Sequence, residues 1–213
     1  MKKKPSSPTA PAQLAGSPLL AKNPDQRRFT PAQLDRRQRL CRAARELAET
    51  GGYTAVTMRA VALQANVGLA TVYRYFSSKD HLIADIHAMK SVEILQQLQN
   101  KPPSGETVYQ RLAAVFDRLL EVTVEQTKLS AAGVAAICSG DPNANSPLYW
   151  QHLVMVPYIE VALGEEDMGD RRELGELLGH LFFSLMVNLT TGRLDLESAK
   201  GIMRRGIKRM LAA

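Results

Sequence analysis

The stretch Met58-Arg59-Ala60-Val61-Ala62-Leu63-Gln64-Ala65-Asn66-Val67-Gly68-Leu69-Ala70-Thr71-Val72-Tyr73-Arg74-Tyr75-Phe76 decides how the chain folds. It predicts two short helices, from about Met58 to Ala65 and from about Leu69 to Tyr75, separated by Asn66-Val67-Gly68. Thr57 stands where a hydroxyl caps the first helix. Asn66 is a residue that tolerates positive φ, and Gly68 opens the second helix without a side-chain clash. Val72 and Phe76, four apart, can pack inward with Val61 and Ala62, which leaves Ala70, Thr71, Tyr73, Arg74 and Tyr75 for other faces. A helix, a tight turn and a second short helix bearing small or hydrogen-bonding side chains suit a DNA major groove about 12 Å wide.

On the N-terminal side, Leu40, Ala43, Ala44, Leu47 and Ala48 recur at three and four between Leu34 and Thr50, with arginines at the intervening positions, and Gly51-Gly52 ends the pattern. On the other side, Ser77-Ser78-Lys79-Asp80 predicts a capping box between Ser77 and Asp80 opening a helix from about Lys79 to Gln99. Lys101-Pro102-Pro103-Ser104-Gly105 breaks that helix. Further helices are expected over 107–127, 128–139, 146–163, 170–191 and 195–211, and neither an alternating strand pattern nor an internal repeat is present. The expected fold is all-α. It comprises a basic Pro-rich disordered arm (1–30), a three-helix helix-turn-helix head (31–85) and a helical ligand-binding and dimerisation bundle (86–213), about nine helices in all.

The formal net charge of +6 is unevenly spread. Residues 1–90 hold 15 Lys+Arg against 6 Asp+Glu, a net of +9, whereas residues 91–213 hold 12 against 15, a net of −3. One end of the chain is therefore suited to a polyanion and the other to a different task. Two cysteines, Cys41 and Cys138, with no CxxC and no histidine at ligand spacing, point to neither a zinc site nor a disulfide framework. The segment after Met1-Lys2-Lys3-Lys4 lacks the apolar run of a secretion signal, and Leu181 to Leu189 is too short for the roughly 20 residues of a membrane span, so a cytoplasmic protein is expected.

The run Met58-Arg59-Ala60-Val61-Ala62, Ala65-Asn66-Val67 and Ala70-Thr71-Val72-Tyr73-Arg74-Tyr75-Phe76-Ser77-Ser78-Lys79-Asp80-His81-Leu82 resembles the signature of the tetracycline-repressor (TetR) family over residues 36–85. The resemblance implies a DNA-binding regulator. It implies phosphate contacts from Thr57, Tyr75 and Lys79, the last at a helix start where dipole and ammonium both attract phosphate. Base-edge contacts would come from Leu69, Ala70, Thr71, Tyr73 and Arg74, with Arg59 reaching backbone or guanine. Two positions depart from the family pattern. Asn66 stands where glycine is usual, and Gly68 stands where a serine-like residue usually opens the recognition helix, so Gly68 would act only through its backbone N–H.

In the body, Leu174, Leu177, Leu178, Leu181, Phe182, Leu185, Met186 and Leu189 form a stripe, and Gly175 and Gly179 would let another helix come close. The resemblance implies that the last two helices pair with their copies in a homodimer through Leu174, Leu178, Leu181, Phe182, Leu185, Met203 and Ile207; an intramolecular core is the other reading of the same stripe. It also implies a small-molecule effector site among the middle helices, with Phe116, Leu119, Leu120, Val134, Ile137, Trp150, Met155, Tyr158 and Ile159 as candidates. Their apolar character, and a resemblance to the family's lipid and steroid regulators, point to a hydrophobic or acyl-coenzyme-A-like effector. An enzyme is not indicated, because His81, His87, His152 and His180 are scattered and no HExxH, GxSxG or GxxxxGK occurs; neither metal nor cofactor is expected. The expected function is a repressor binding double-stranded palindromic operator DNA, with an activator or a sequence-indifferent DNA-binding protein as the alternative.

Overall fold

The computed structural model describes residues 29–144, 155–166 and 170–212, and within them every regular element is a helix. The helices are α1 (Pro31–Ala55), α2 (Met58–Gln64), α3 (Leu69–Tyr75), α4 (Lys79–Asn100), α5 (Val108–Glu125), α6 (Thr127–Ile137), α7 (Val156–Leu163), α8 (Arg171–Thr190) and α9 (Leu196–Met210). Apart from Phe29 and Thr30, the Pro-rich arm lies outside the described residues, as does Trp150. Among the described residues no helix is long and apolar enough to cross a membrane.

Local signals set most boundaries. α1 starts earlier than its apolar pattern because Thr30 and Gln33 form a reciprocal capping box with Pro31 in the first turn. Its regular course breaks at Gly52, whose φ of 67° and ψ of −160° favour a residue without Cβ. Thr57 caps α2 by accepting from the Ala60 N–H at 3.1 Å, as its position predicts. Asn66 takes φ 53° in the turn to α3. A β-branched side chain is poorly tolerated at that φ, so Asn66→Val is expected to cost the fold about 1–2 kcal/mol, read as a lower midpoint in thermal or urea unfolding.

The cap of α4 differs from expectation. Ser78, not Ser77, accepts from the His81 N–H, at 3.0 Å, while Asp80 accepts from the Tyr53 hydroxyl at 2.6 Å. Ser77 turns instead to His81 Nδ1. A carboxylate in the first turn has two competing partners, and the phenol supplied by the end of α1 wins it.

Two apolar clusters result. One joins α1–α3 and the first turns of α4 to Leu129, Ala132 and Ala136 of α6. The other joins the rest of α4 to α5, α7, α8 and α9. Polar links reinforce the junction of head and body. Arg45 forks onto both oxygens of Glu93 at 3.0 and 3.1 Å, and Lys128 donates to the Thr50 carbonyl at 2.7 Å, while Arg37 pairs with Asp85 within the head. Ser78 donates to Asp141, just beyond the end of α6.

The α8 stripe divides into two faces. Leu178, Phe182, Leu185, Met203 and Ile207, expected at a dimer interface, are buried inside their own protomer. A stripe eight residues wide is broader than one interface needs, and its inner half meets α5 and α7. Leu174 and Leu181 are half-buried, and Leu177 is 46% exposed. The small residues serve the same protomer: Gly175 and Gly179 admit Val156 and Met155 at the start of α7, and Gly206 of α9 admits Leu181.

Candidate nucleic-acid interface and sensor cavity

The outer surface of the head is built by α2 and α3. Val72 and Phe76 are buried with Val61 and Ala62, which holds α3 by one face and turns the opposite face outward. Gly68, Leu69, Ala70, Tyr73 and Arg74 are exposed, Tyr73 by 54%, and Thr71 is half-buried. Thr57, Arg59, Leu69, Tyr73 and Lys79 come together round one open cleft, with Met58, Ser77 and Ser78 completing its lining.

The charges in this surface remain available. Arg59 and Arg74 are exposed and form no ion pair among the described residues, whereas Arg37, Arg39 and Arg45 are paired with carboxylates. Lys79, at the first position of α4, places its ammonium 3.6 Å over the Tyr53 ring. Burial and the Asp80 carboxylate push the Tyr53 phenol up to about 12, so this ring stays neutral beneath the lysine. Thr57 uses a lone pair of its hydroxyl in capping α2, which leaves the O–H proton for an anion.

Tyr75 departs from its expected role. Its ring meets Phe29, centroids 5.6 Å apart, and its hydroxyl is buried without a hydrogen-bond partner. Being the last residue of α3, it faces the entry to α1 rather than the outer surface, so in this arrangement it presents no group to phosphate.

Within the body, a cavity of about 40 Å³ lies between α4, α5, α6, α7 and α8. Its polar wall is His87, Lys90, Ser91, Thr123, Gln126 and Ser130; its apolar wall includes Leu119, Leu129, Met155, Tyr158, Phe182 and Met186. Burial pushes the His87 imidazole down to about 4, so it is neutral near pH 7. The ring packs against Gly133 of α6, where any Cβ would collide with it. Tyr158 donates to the Ser91 carbonyl at 2.6 Å and fastens α7 to α4.

Of the expected sensor residues, Leu119, Met155 and Tyr158 line this cavity. Phe116, Leu120 and Ile159 are fully buried in solid core, and Val134 and Ile137 also lie off the cavity, while Phe182, expected at the dimer interface, lines it. The residues of the polar wall are not among those expected from the sequence. A usable signal existed: Thr123, Gln126 and Ser130 are three and four apart at core-facing positions, where polar groups are costly without a purpose.

Residues 40–86, most of the head, match the sequence model of the bacterial regulatory proteins, tetR family. The head is of the TetR type over these residues.

TetR-family proteins are DNA-binding transcriptional regulators rather than enzymes, and they act on operators, usually as dimers, under small-molecule control. The chain is 29% identical over 175 residues to the HTH-type transcriptional repressor KstR of Mycobacterium tuberculosis, covering 82% of this chain and 78% of that one. It is 36% identical to KstR of Mycolicibacterium smegmatis over 113 residues, which is 53% of this chain and 55% of that one. The fold matches a TetR regulator from Rhodococcus sp. RHA1 with a TM-score of 0.74 at 24% identity, covering 84% of this chain and 97% of that one. It also matches Thermus thermophilus FadR, solved in complex with lauroyl-CoA, with a TM-score of 0.66 at 21% identity, covering 83% and 93%.

The unusual glycine of this TetR head is not demanded by its backbone. Gly68 has φ −68°, and a Cβ there would meet nothing within 4 Å. Gly68→Ser should leave unfolding within about 0.5 kcal/mol of wild type. It should also tighten DNA binding, measured by fluorescence anisotropy, because the new hydroxyl adds a phosphate donor.

Proposed function

We propose that the protein is a ligand-responsive repressor that binds a palindromic operator as a homodimer, with α3 in the major groove, and leaves it when an apolar effector fills the cavity. One observation carries this reading: α6, which forms one wall of the cavity, also packs against α1 and α4 and contributes three side chains to the core of the head. A change in the cavity's volume therefore bears directly on the orientation of the head.

Lys79 and Thr57 would hold phosphate, with the Gly68 N–H beside them. Leu69, Ala70, Thr71, Tyr73 and Arg74 would face base edges, and Arg59 backbone or guanine. The outward side of α8, with Leu177 and the half-buried Leu174 and Leu181, would meet its copy and set the two heads about 34 Å apart. The relatives named repressors favour repression over activation. The cytoplasm of a bacterium is the natural setting for such a regulator.

A cavity of about 40 Å³ holds water but no lipid, while sites for drug-sized ligands run to about 300–1,000 Å³. Effector binding must therefore open it, and Met155, Met186 and Phe182 form the wall most able to rearrange. The apolar lining supports an effector of lipid character, the class that lauroyl-CoA represents in the Thermus protein. A full reversal from bound to free requires a preference for the released form of about 5.5 kcal/mol. Titrating labelled operator complexes with fatty acyl-CoAs and steroid acids should release the DNA at saturable concentrations of at least one class. A complex unmoved by the entire series would contradict an apolar effector.

A further inference from the structure

The cavity's polar wall is not uniformly committed. The Thr123 hydroxyl donates to the Leu119 carbonyl at 2.9 Å, the Ser91 hydroxyl to the His87 carbonyl at 3.2 Å, and the Tyr158 hydroxyl to the Ser91 carbonyl at 2.6 Å. Each of these groups has its donor engaged within the protein. Gln126 differs: its Oε1 is buried and has no hydrogen-bond partner. A carbonyl oxygen removed from water without a donor is unfavourably placed, and it lines the cavity in which the effector is proposed to bind.

The residue's place in the chain adds a second observation. Gln126 is the junction between α5 and α6, closing the first helix and preceding the second with φ −121° and ψ 46°, and its side chain caps neither. Two residues on, Lys128 holds the Thr50 carbonyl at the far end of α1. A bond made at Gln126 thus acts at the pivot of the helix that packs against the head.

We propose that Gln126 is the specificity residue of the effector site and accepts a hydrogen bond from a hydroxyl carried on an otherwise apolar, lipid-class molecule. This rests on the effector reading of the cavity. The hydroxyl satisfies Oε1, and the apolar body takes the space opened between Met155, Phe182 and Met186. Ethers and esters offer only acceptors to this oxygen and leave it unpaired.

The test compares dodecan-1-ol, dodecyl methyl ether and dodecanoate by calorimetry on the full-length protein. Wild type is expected to bind the alcohol about tenfold more tightly than the ether, and Gln126→Leu, of similar size but apolar, to bring that ratio to about one. The wild-type comparison stands even where the variant folds poorly. Equal binding of alcohol and ether by wild type, a preference that persists in folded Gln126→Leu, or dodecanoate outbinding the alcohol through Lys90 would overturn the assignment and leave the effector site standing. Absence of saturable binding by all three would overturn both.

Discussion

Arg37→Ala is expected to destabilise the protein by about 3 kcal/mol at neutral pH, because it strands a carboxylate between α1 and α4. Arg37 pairs with Asp85 across α1 and α4, their side chains 19% and 16% exposed, and its guanidinium also lies over the Phe76 ring at 5.6 Å. Burial pushes the Asp85 carboxyl up and Arg37 opposes that rise. Without Arg37 the folded-state pKa climbs further above the unfolded value of about 3.9. A group raised in this way contributes stability below the unfolded pKa and loses it as pH rises through the folded one. The defect should therefore be small near pH 4 and full near pH 7.5 in urea denaturation. Asp85→Asn in the same background should recover most of it. A loss that is independent of pH, or unrepaired by Asp85→Asn, would show that the arginine acts through packing on Phe76 alone.

Lys79→Ala should weaken operator binding about 100-fold without changing its sequence preference. The ammonium sits at the start of α4, held over Tyr53, where helix dipole and charge both favour phosphate. The proposed dimer would lose two such contacts, each a charged hydrogen bond of about 1.5 kcal/mol or more. The slope of log affinity against log salt should fall by about 2 in magnitude. Tyr73→Ala, by contrast, should alter the ranking of operators and leave the salt slope unchanged if, as proposed, its exposed ring reads base edges and not phosphate. An unaltered slope in Lys79→Ala would remove Lys79 from the phosphate contacts.

The head was legible because its signals are local. Thr57 as cap, Asn66 at positive φ and Gly52 at the break each follow from the chemistry of one residue and its neighbours. Where two local partners compete, sequence is ambiguous. Asp80 could serve a cap or a distant phenol, and only the fold brings Tyr53 to it from 27 residues away. The surroundings of Tyr75 are hidden for the same reason, since nothing local says that Phe29 meets its ring.

The body was legible as helices and not as a site. An apolar stripe records that a face is buried but not what buries it, so Leu178 and Leu185 looked like dimer contacts although their own protomer covers them. The cavity depends on five helices meeting, and its distinctive members are polar residues spread from His87 to Ser130. The polar exceptions within apolar faces carried more information about the site than the apolar residues that outnumber them.

Selection of bound duplexes from a random DNA pool, with full-length protein at near-physiological salt and its oligomeric state measured in the same buffer, tests the central claim most directly. A dimer that enriches a palindrome with half-sites about one helical turn apart is the predicted result. Binding that falls steeply with salt yet enriches no sequence, or enrichment by a monomer on a single half-site, would contradict an operator-reading homodimer.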